Sequence, residues 1–325
     1  MRTTVKRWLV LVTLAAAIIP TNADELKLWR HGIVEAKSDA GIVFMASKGG
    51  FAEKQGLNVE IKQFKGDTLA LKALLAGELD SYEGNPGSPM VAASRGADIK
   101  LLGCYWPGLT YAIYSRASIN SVADLKGKTL AISAPGALPD LVARAVLAEN
   151  NVPAADVKFT IMGSDTDRFK ALTAGIVDAA AASSGFAPAA EKAGVKLLVH
   201  AIEAVPNYVR FCIYSSGKTL AARKDDAARF LAAEMAGFRH ALANREQTIE
   251  LTREITHAKP DNPLPAFTYD EVKRFSAVDP DMPIPMKKLA WLRDLLVKTG
   301  NLTKPVDLDK FVDPDIRTQA LQMAK

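Results

Sequence analysis

Lys72–Asp80 reads KALLAGELD, and Lys170–Asp178 reads KALTAGIVD. Each copy passes from good helix formers, through a glycine suited to the left-handed position just past a helix end, into a β-type segment. The flanks extend the echo. An alternating strand pattern, Val59–Phe64, begins thirteen residues before Lys72, and Val157–Met162 begins thirteen before Lys170. Downstream, Lys100-Leu-Leu and Lys196-Leu-Leu each follow a glycine-bearing helix end, at 28 and 26 positions from the two lysines. Strand, helix, strand, helix, strand therefore occurs twice, which predicts two α/β lobes, each a mostly parallel sheet flanked by helices. In open sheets of this kind a ligand binds beyond the carboxyl ends of the strands, so two facing lobes predict one cleft between them.

Two further segments resemble each other. Leu109–Ser115 and Val209–Ser215 both carry Ile-Tyr-Ser and bracket the second unit. They read as the outgoing and returning hinge strands, giving a first lobe of residues 24–114 and 215–325 and a second of 115–214. After Ser215 the pattern turns helical. Leu231, Met235, Phe238 and Leu242 share one helix face after Asp225-Asp226, the proline-rich stretch Lys259–Pro285 breaks the pattern, and a last apolar helix is expected around Leu289–Lys298. These helices are expected to pack back on the first lobe.

The opening 23 residues carry Arg2, Lys6 and Arg7 before an apolar run from Trp8 to Ile19, then Pro20 and Ala23. A bilayer needs about 20 apolar residues, so a cleavable export signal over 1–23 and a periplasmic protein are expected. Removing those residues lowers the formal net charge from +5 to +2, which withdraws compositional support for nucleic-acid binding. Cys104 and Cys212 lie far apart in sequence, and two buried thiols are expected rather than a bridge.

Gly49–Val59, Ala76–Asp80, Ala123–Lys128, Ala174–Asp178 and the terminal Val312–Leu321, in this order and spacing, resemble the substrate-binding proteins of ABC importers. The resemblance is to the nitrate, sulfonate and taurine type, which is related to binders of thiamine pyrimidine precursors. It implies a two-lobed type II periplasmic-binding-protein fold, a hinge crossed twice, and delivery of a small organic anion (sulfonate, carboxylate or aromatic acid) to a membrane permease. A thiamine pyrimidine precursor binder and an exported enzyme on the same fold are the alternatives. No cofactor is implied, and a monomer is expected.

The loops expected at the cleft supply the candidate ligand residues. In the first lobe these are Ser38, Asp39, Thr68, Glu83, Asn85 and Ser88. In the second they are Pro135, Gly136, Asp140, Ser164, Ser183, Ser184 and Phe186, with Tyr208 on the return. Small polar residues at such places cap their own helices, and the same helix N-termini, with free N–H groups and partial positive charge, suit an anion. Phe186, Tyr208, Tyr82 and Trp106 are candidates to stack on a flat ligand. Glu83 is unusual just after a strand; it would meet an amino or cationic group on a ligand, or pair with Arg30 or Lys65.

Enzyme signatures are missing. Gly127-Lys-Thr and Gly217-Lys-Thr lack the glycine five residues earlier that a phosphate loop needs. His31, His200, His240 and His257 show no metal-ligand spacing, and no G-x-S-x-G nucleophile occurs. Of the histidines, His31 alone stands near a strand end that faces the expected cleft.

Overall fold

A computed structural model describes residues 25–324; the expected export signal lies outside the described residues. Ten strands form two five-stranded sheets. The first contains β1 (Lys27–Val34), β2 (Leu57–Phe64), β3 (Ser81–Gly84), β4 (Lys100–Trp106) and β10 (Phe211–Ser215), in the order β2-β1-β3-β10-β4. The second contains β5 (Tyr111–Arg116), β6 (Thr129–Ile132), β7 (Lys158–Ile161), β8 (Ala179–Ser183) and β9 (Val195–His200), in the order β7-β6-β8-β5-β9. The two orders are the same once each unit is numbered from its own first strand. Four strands of each sheet run parallel, and β10 or β5 runs against them.

The sequence echo has a structural cause in each lobe. Gly77 and Gly175 take left-handed φ values of 80° and 73°, ending the helices Asp67–Leu75 and Asp165–Thr173. The closing aspartates then tie down the neighbouring strand. Asp80 accepts from the Arg30 backbone N–H at 2.8 Å, and Asp178 accepts from the Thr129 N–H at 2.9 Å.

Ile-Tyr-Ser marks a different feature from the one expected. The hinge-strand reading is corrected: β5 and β10 are interior strands, each filling the antiparallel slot of its sheet. Each crossing therefore delivers the chain directly into the strand that runs against its neighbours. The change of sheet falls in residues 107–110 and 205–210, so divisions at 114/115 and 214/215 would cut through β5 and β10.

Helix Gly217–Ala243 lays Phe230, Leu231, Met235 and Phe238 on Trp29, Leu57, Leu102 and Ile213 of the first sheet. Each such burial contributes about 1.5–3 kcal/mol, which fixes this helix to the first lobe. Helix Met286–Lys298 packs against helix Gly87–Ser94 in the same lobe. The proline-rich stretch is not a simple break, because Pro265 sits in the first turn of a helix, Leu264–Arg274, where a missing N–H costs nothing.

The cysteine expectation is also overturned. Cys104 on β4 and Cys212 on β10 form a disulfide. Antiparallel pairing of these two strands brings together residues 108 apart in sequence, which spacing alone could not reveal. The loop so closed contains the whole second sheet.

Candidate functional site

A cavity of about 190 Å³ lies between the two sheets and draws its wall from both. The ends of β1 and β3 bring Ile33, Glu83 and Asn85; the loop after β1 brings Lys37 and Asp39; the second lobe brings Tyr111, Leu138, Ser164, Asp165 and Arg168. Arg210 and Phe211 enter from the return crossing. This is the strand-end position expected from the topology.

Three ion pairs organise the wall. Arg210 donates to Asp39 at 2.8 Å and to Thr110 at 2.9 Å, with its guanidinium over the Trp106 and Phe211 rings. In the second lobe Arg168 bonds Asp165, the Tyr111 hydroxyl and the Ala181 carbonyl. Lys37 reaches across the cleft to the other Asp165 oxygen at 2.7 Å. Burial alone would raise the Asp165 carboxyl, but Lys37 and Arg168 beside it hold it below the usual carboxylate range.

Two other carboxyls behave differently. Burial pushes Glu83 up to about 8, against the Tyr105 hydroxyl that donates to it and with Asp39 adding to the rise. Glu83 is therefore largely a neutral acid near pH 7. The expected pairing with Arg30 is corrected: Arg30 is spent on Asp80, at 3.0 Å, and Tyr105 stands next to Glu83. Asp67, in the first turn of its helix, is raised by burial to about 6, with Ser88 and the Asn85 backbone opposing the rise. Those two donors lie close enough to favour the Asp67 carboxylate without meeting strict hydrogen-bond geometry to either of its oxygens.

Of the residues expected at the cleft, Asp39, Glu83, Asn85 and Ser164 line this cavity. The others are not on its wall. Ser38 lies in an adjoining hollow with His257 and Pro265, where Thr268 donates to its hydroxyl at 2.8 Å. Thr68 is exposed on the first turn of its helix, and Ser88 sits within helix Gly87–Ser94. Pro135 and Gly136 form a turn that Asp140 holds through the Gly136 N–H at 2.7 Å, while its other oxygen takes Arg144. Ser183 caps Gly185, Ser184 donates to Glu271 at 2.5 Å, and Phe186 stacks on Phe169. Tyr208 is buried behind Asn85, whose amide donates to its hydroxyl at 2.8 Å. Tyr82 stacks on Tyr214 in the core, Trp106 lies under Arg210, and His31 is buried against Ser81, its pKa lowered to about 3 by burial.

Sequence reasoning missed Arg168, Arg210 and Tyr111 as wall residues; Asp67 and Asp165 stand in loops expected at the cleft, Lys65–Thr68 and Gly163–Asp165, but were not chosen as ligand residues. Helix periodicity gives no sign that Arg168 points inward, and its neighbours Asp165 and Asp167 read as ordinary first-turn acids. Among the described residues no cluster of three or more metal-ligating side chains is present, and no helix is long and apolar enough to cross a membrane.

The sequence model of the family described as NMT1/THI5-like matches residues 37–248, which contain both α/β units. The chain belongs to the NMT1/THI5-like family. A protein of Brucella abortus, provisionally named a binding protein, is 28% identical over 163 residues. That match covers 50% of each sequence, so the chain spans about half the length of this relative. Among solved structures, the periplasmic aliphatic sulphonate binding protein of Escherichia coli superposes with a TM-score of 0.73 at 20% identity, covering 89% of this chain and 92% of the other. The periplasmic nitrate-binding protein of Synechocystis gives a TM-score of 0.74 at 15% identity, covering 93% and 90%. At these identities the likeness shows the fold: the two-lobed architecture of periplasmic binding proteins.

Proposed function

We propose that this NMT1/THI5-like chain is an exported solute receptor that captures a small organic acid between its lobes and hands it to an ABC importer permease. The observation that carries this reading is the cavity between the sheets, with Lys37 of one lobe bonded to Asp165 of the other on its wall. A two-lobed body joined by short crossings and latched by polar contacts can exist open or closed, and a ligand that touches both walls favours the closed form. The sulphonate- and nitrate-binding proteins that share the fold support a transport role. Periplasmic location, from the expected signal, and action as a single chain belong to the same proposal.

For the acid end of the ligand, the wall offers the start of helix Leu138–Glu149, which has no capping side chain, and the exposed Lys65. Both favour negative charge. Arg210 is matched by Asp39, whereas Lys37 and Arg168 share the one carboxylate of Asp165, so this set of side chains adds a net positive charge to the wall.

Titration calorimetry with short-chain sulfonates, carboxylates and aromatic acids tests the proposal. One molecule bound per chain and recovered unchanged is the expected result; conversion of the bound compound would replace the receptor with an enzyme.

A further inference from the structure

Lys37, Arg168 and Asp165 all line the cavity, and the two cations share the single carboxylate. Asp165 is fully satisfied there. One oxygen accepts from Lys37 at 2.7 Å, and the other accepts from the Tyr111 hydroxyl at 2.6 Å and from Arg168. Two cations and a hydroxyl turned on one carboxylate are the contacts that an acid ligand in this cavity would itself seek. Burial opposes the charge on Asp165, but Lys37 and Arg168 beside it keep it ionised, so the protein holds an anion of its own at this position.

The two cations are not held alike. The Arg168 side chain is 2% exposed and is fixed within the second lobe by the Ala181 and Gly163 carbonyls as well as by Asp165. Moving it would break a buried network. Lys37 comes from the other lobe, its side chain is largely open to solvent, and Asp165 is the one hydrogen-bond partner of its ammonium among the described residues. A flexible four-carbon stem lets that ammonium change its aim. Asp165 would still keep Tyr111 and Arg168 after Lys37 left.

We propose that Asp165 is a built-in competitor of the ligand: its carboxylate holds Lys37 in the empty protein, and capture passes Lys37 from Asp165 to the acid group of the ligand. The inference rests on the receptor reading above and concerns the control of that same site. The start of helix Leu138–Glu149 and Lys65 can receive an acid without any exchange, whereas Lys37 joins them only by leaving Asp165. Two consequences follow for binding. An acid must break the bond between Lys37 and Asp165 and then lie near a remaining like charge, so its affinity is held below what the cations alone would give. A neutral isostere leaves the pair intact, so Asp165 also sets how strongly the cavity prefers an acid.

The test compares each acid with its uncharged amide: propionate with propionamide, benzoate with benzamide, and ethanesulfonate with ethanesulfonamide. Titration calorimetry on the purified protein at pH 7.5 gives the ratio of acid to amide affinity. A change in the balance of open and closed lobes acts on both members alike, so the ratio isolates the charge contact. Asp165→Asn, which keeps the shape and frees Lys37, should raise the ratio about tenfold in every pair whose acid binds wild type, as the loss of one screened like charge allows. Lys37→Met should lower the ratio severalfold, and this exposed position answers the case in which Asp165→Asn fails to fold. In a chain carrying both changes the gain from Asp165→Asn should shrink, because no Lys37 is left to release. A ratio that Asp165→Asn leaves unchanged or lowers, a ratio indifferent to Lys37→Met, or a full gain that persists without Lys37 overturns the competitor role and leaves the receptor standing. Failure of every acid to bind the wild type overturns both.

Discussion

The Lys37 ammonium, on the loop after β1 of the first lobe, lies 2.7 Å from the Asp165 carboxylate at the start of a second-lobe helix. Both residues line the cavity, and the pair bridges its two walls. The Lys37 side chain is 42% exposed, so the bond is screened and contributes about 0.5–1 kcal/mol. A contact of that size biases a lobe equilibrium without locking it.

Lys37→Met is therefore expected to shift the ligand-free protein toward an open form while leaving its melting temperature within a few degrees of wild type. Small-angle scattering reads this directly. A larger radius of gyration supports the latch, and an unchanged one means that other cross-lobe contacts, such as Ser184 with Glu271, set the closed form.

The cystine between β4 and β10 makes a separate prediction. It closes a loop with a sequence separation of 108, for which chain entropy assigns a stabilisation of about 4–5 kcal/mol, and removing native bridges costs about 2–5 kcal/mol. Replacing both Cys104 and Cys212 with alanine should lower the denaturant midpoint accordingly and leave ligand affinity intact, because neither sulfur lines the cavity. Thiol titration of the unreduced, unfolded protein should find no free thiol.

Glu83 sets a pH dependence. Its folded value of about 8 lies above the ordinary glutamate value, because burial disfavours the charge and Asp39 opposes it further. The folded state thus holds a proton that the unfolded chain has released, and stability falls as pH rises from about 4.5 through 8. Melting curves across that window should decline more steeply for wild type than for Glu83→Gln, which cannot ionise. Parallel curves would mean that Glu83 is already charged at neutral pH.

The repeated nonapeptide made the fold readable because its helix formers and left-handed glycine act within one αβ junction. Its closing aspartates reach further: Asp80 and Asp178 each accept a backbone N–H from the neighbouring strand, at Arg30 and Thr129, about 50 residues earlier in the chain. The Ile-Tyr-Ser segments were equally visible but were read as hinges. Whether a strand lies in a sheet or between sheets depends on pairing with residues about a hundred positions away, as with Tyr214 opposite Tyr82.

The site was legible only in part for the same reason. Loops after strands were expected to reach the cleft, and four residues of those loops, Asp39, Glu83, Asn85 and Ser164, line the cavity. The side chains that organise the wall come from a mid-helix arginine, Arg168, and a crossing residue, Arg210, whose partners are brought to them by tertiary folding. Ser184 and Asp140 looked like ligand residues because small polar groups at helix starts serve caps, turns and ligands alike. In the folded chain Ser184 is spent on Glu271 and Asp140 on Gly136 and Arg144.

The most direct test of the receptor account is a thermal-shift screen of residues 24–325 against alkanesulfonates, aminosulfonates, nitrate, bicarbonate, aliphatic and aromatic acids, and thiamine pyrimidines. A ligand at 100 times its dissociation constant adds about 2.7 kcal/mol of stability, which moves the melting temperature by several degrees. The account predicts that one chemical class of acid shifts the melt and that Leu138→Trp, which fills the cavity wall, abolishes the shift. A shift that persists undiminished in Leu138→Trp would place binding elsewhere and contradict the account.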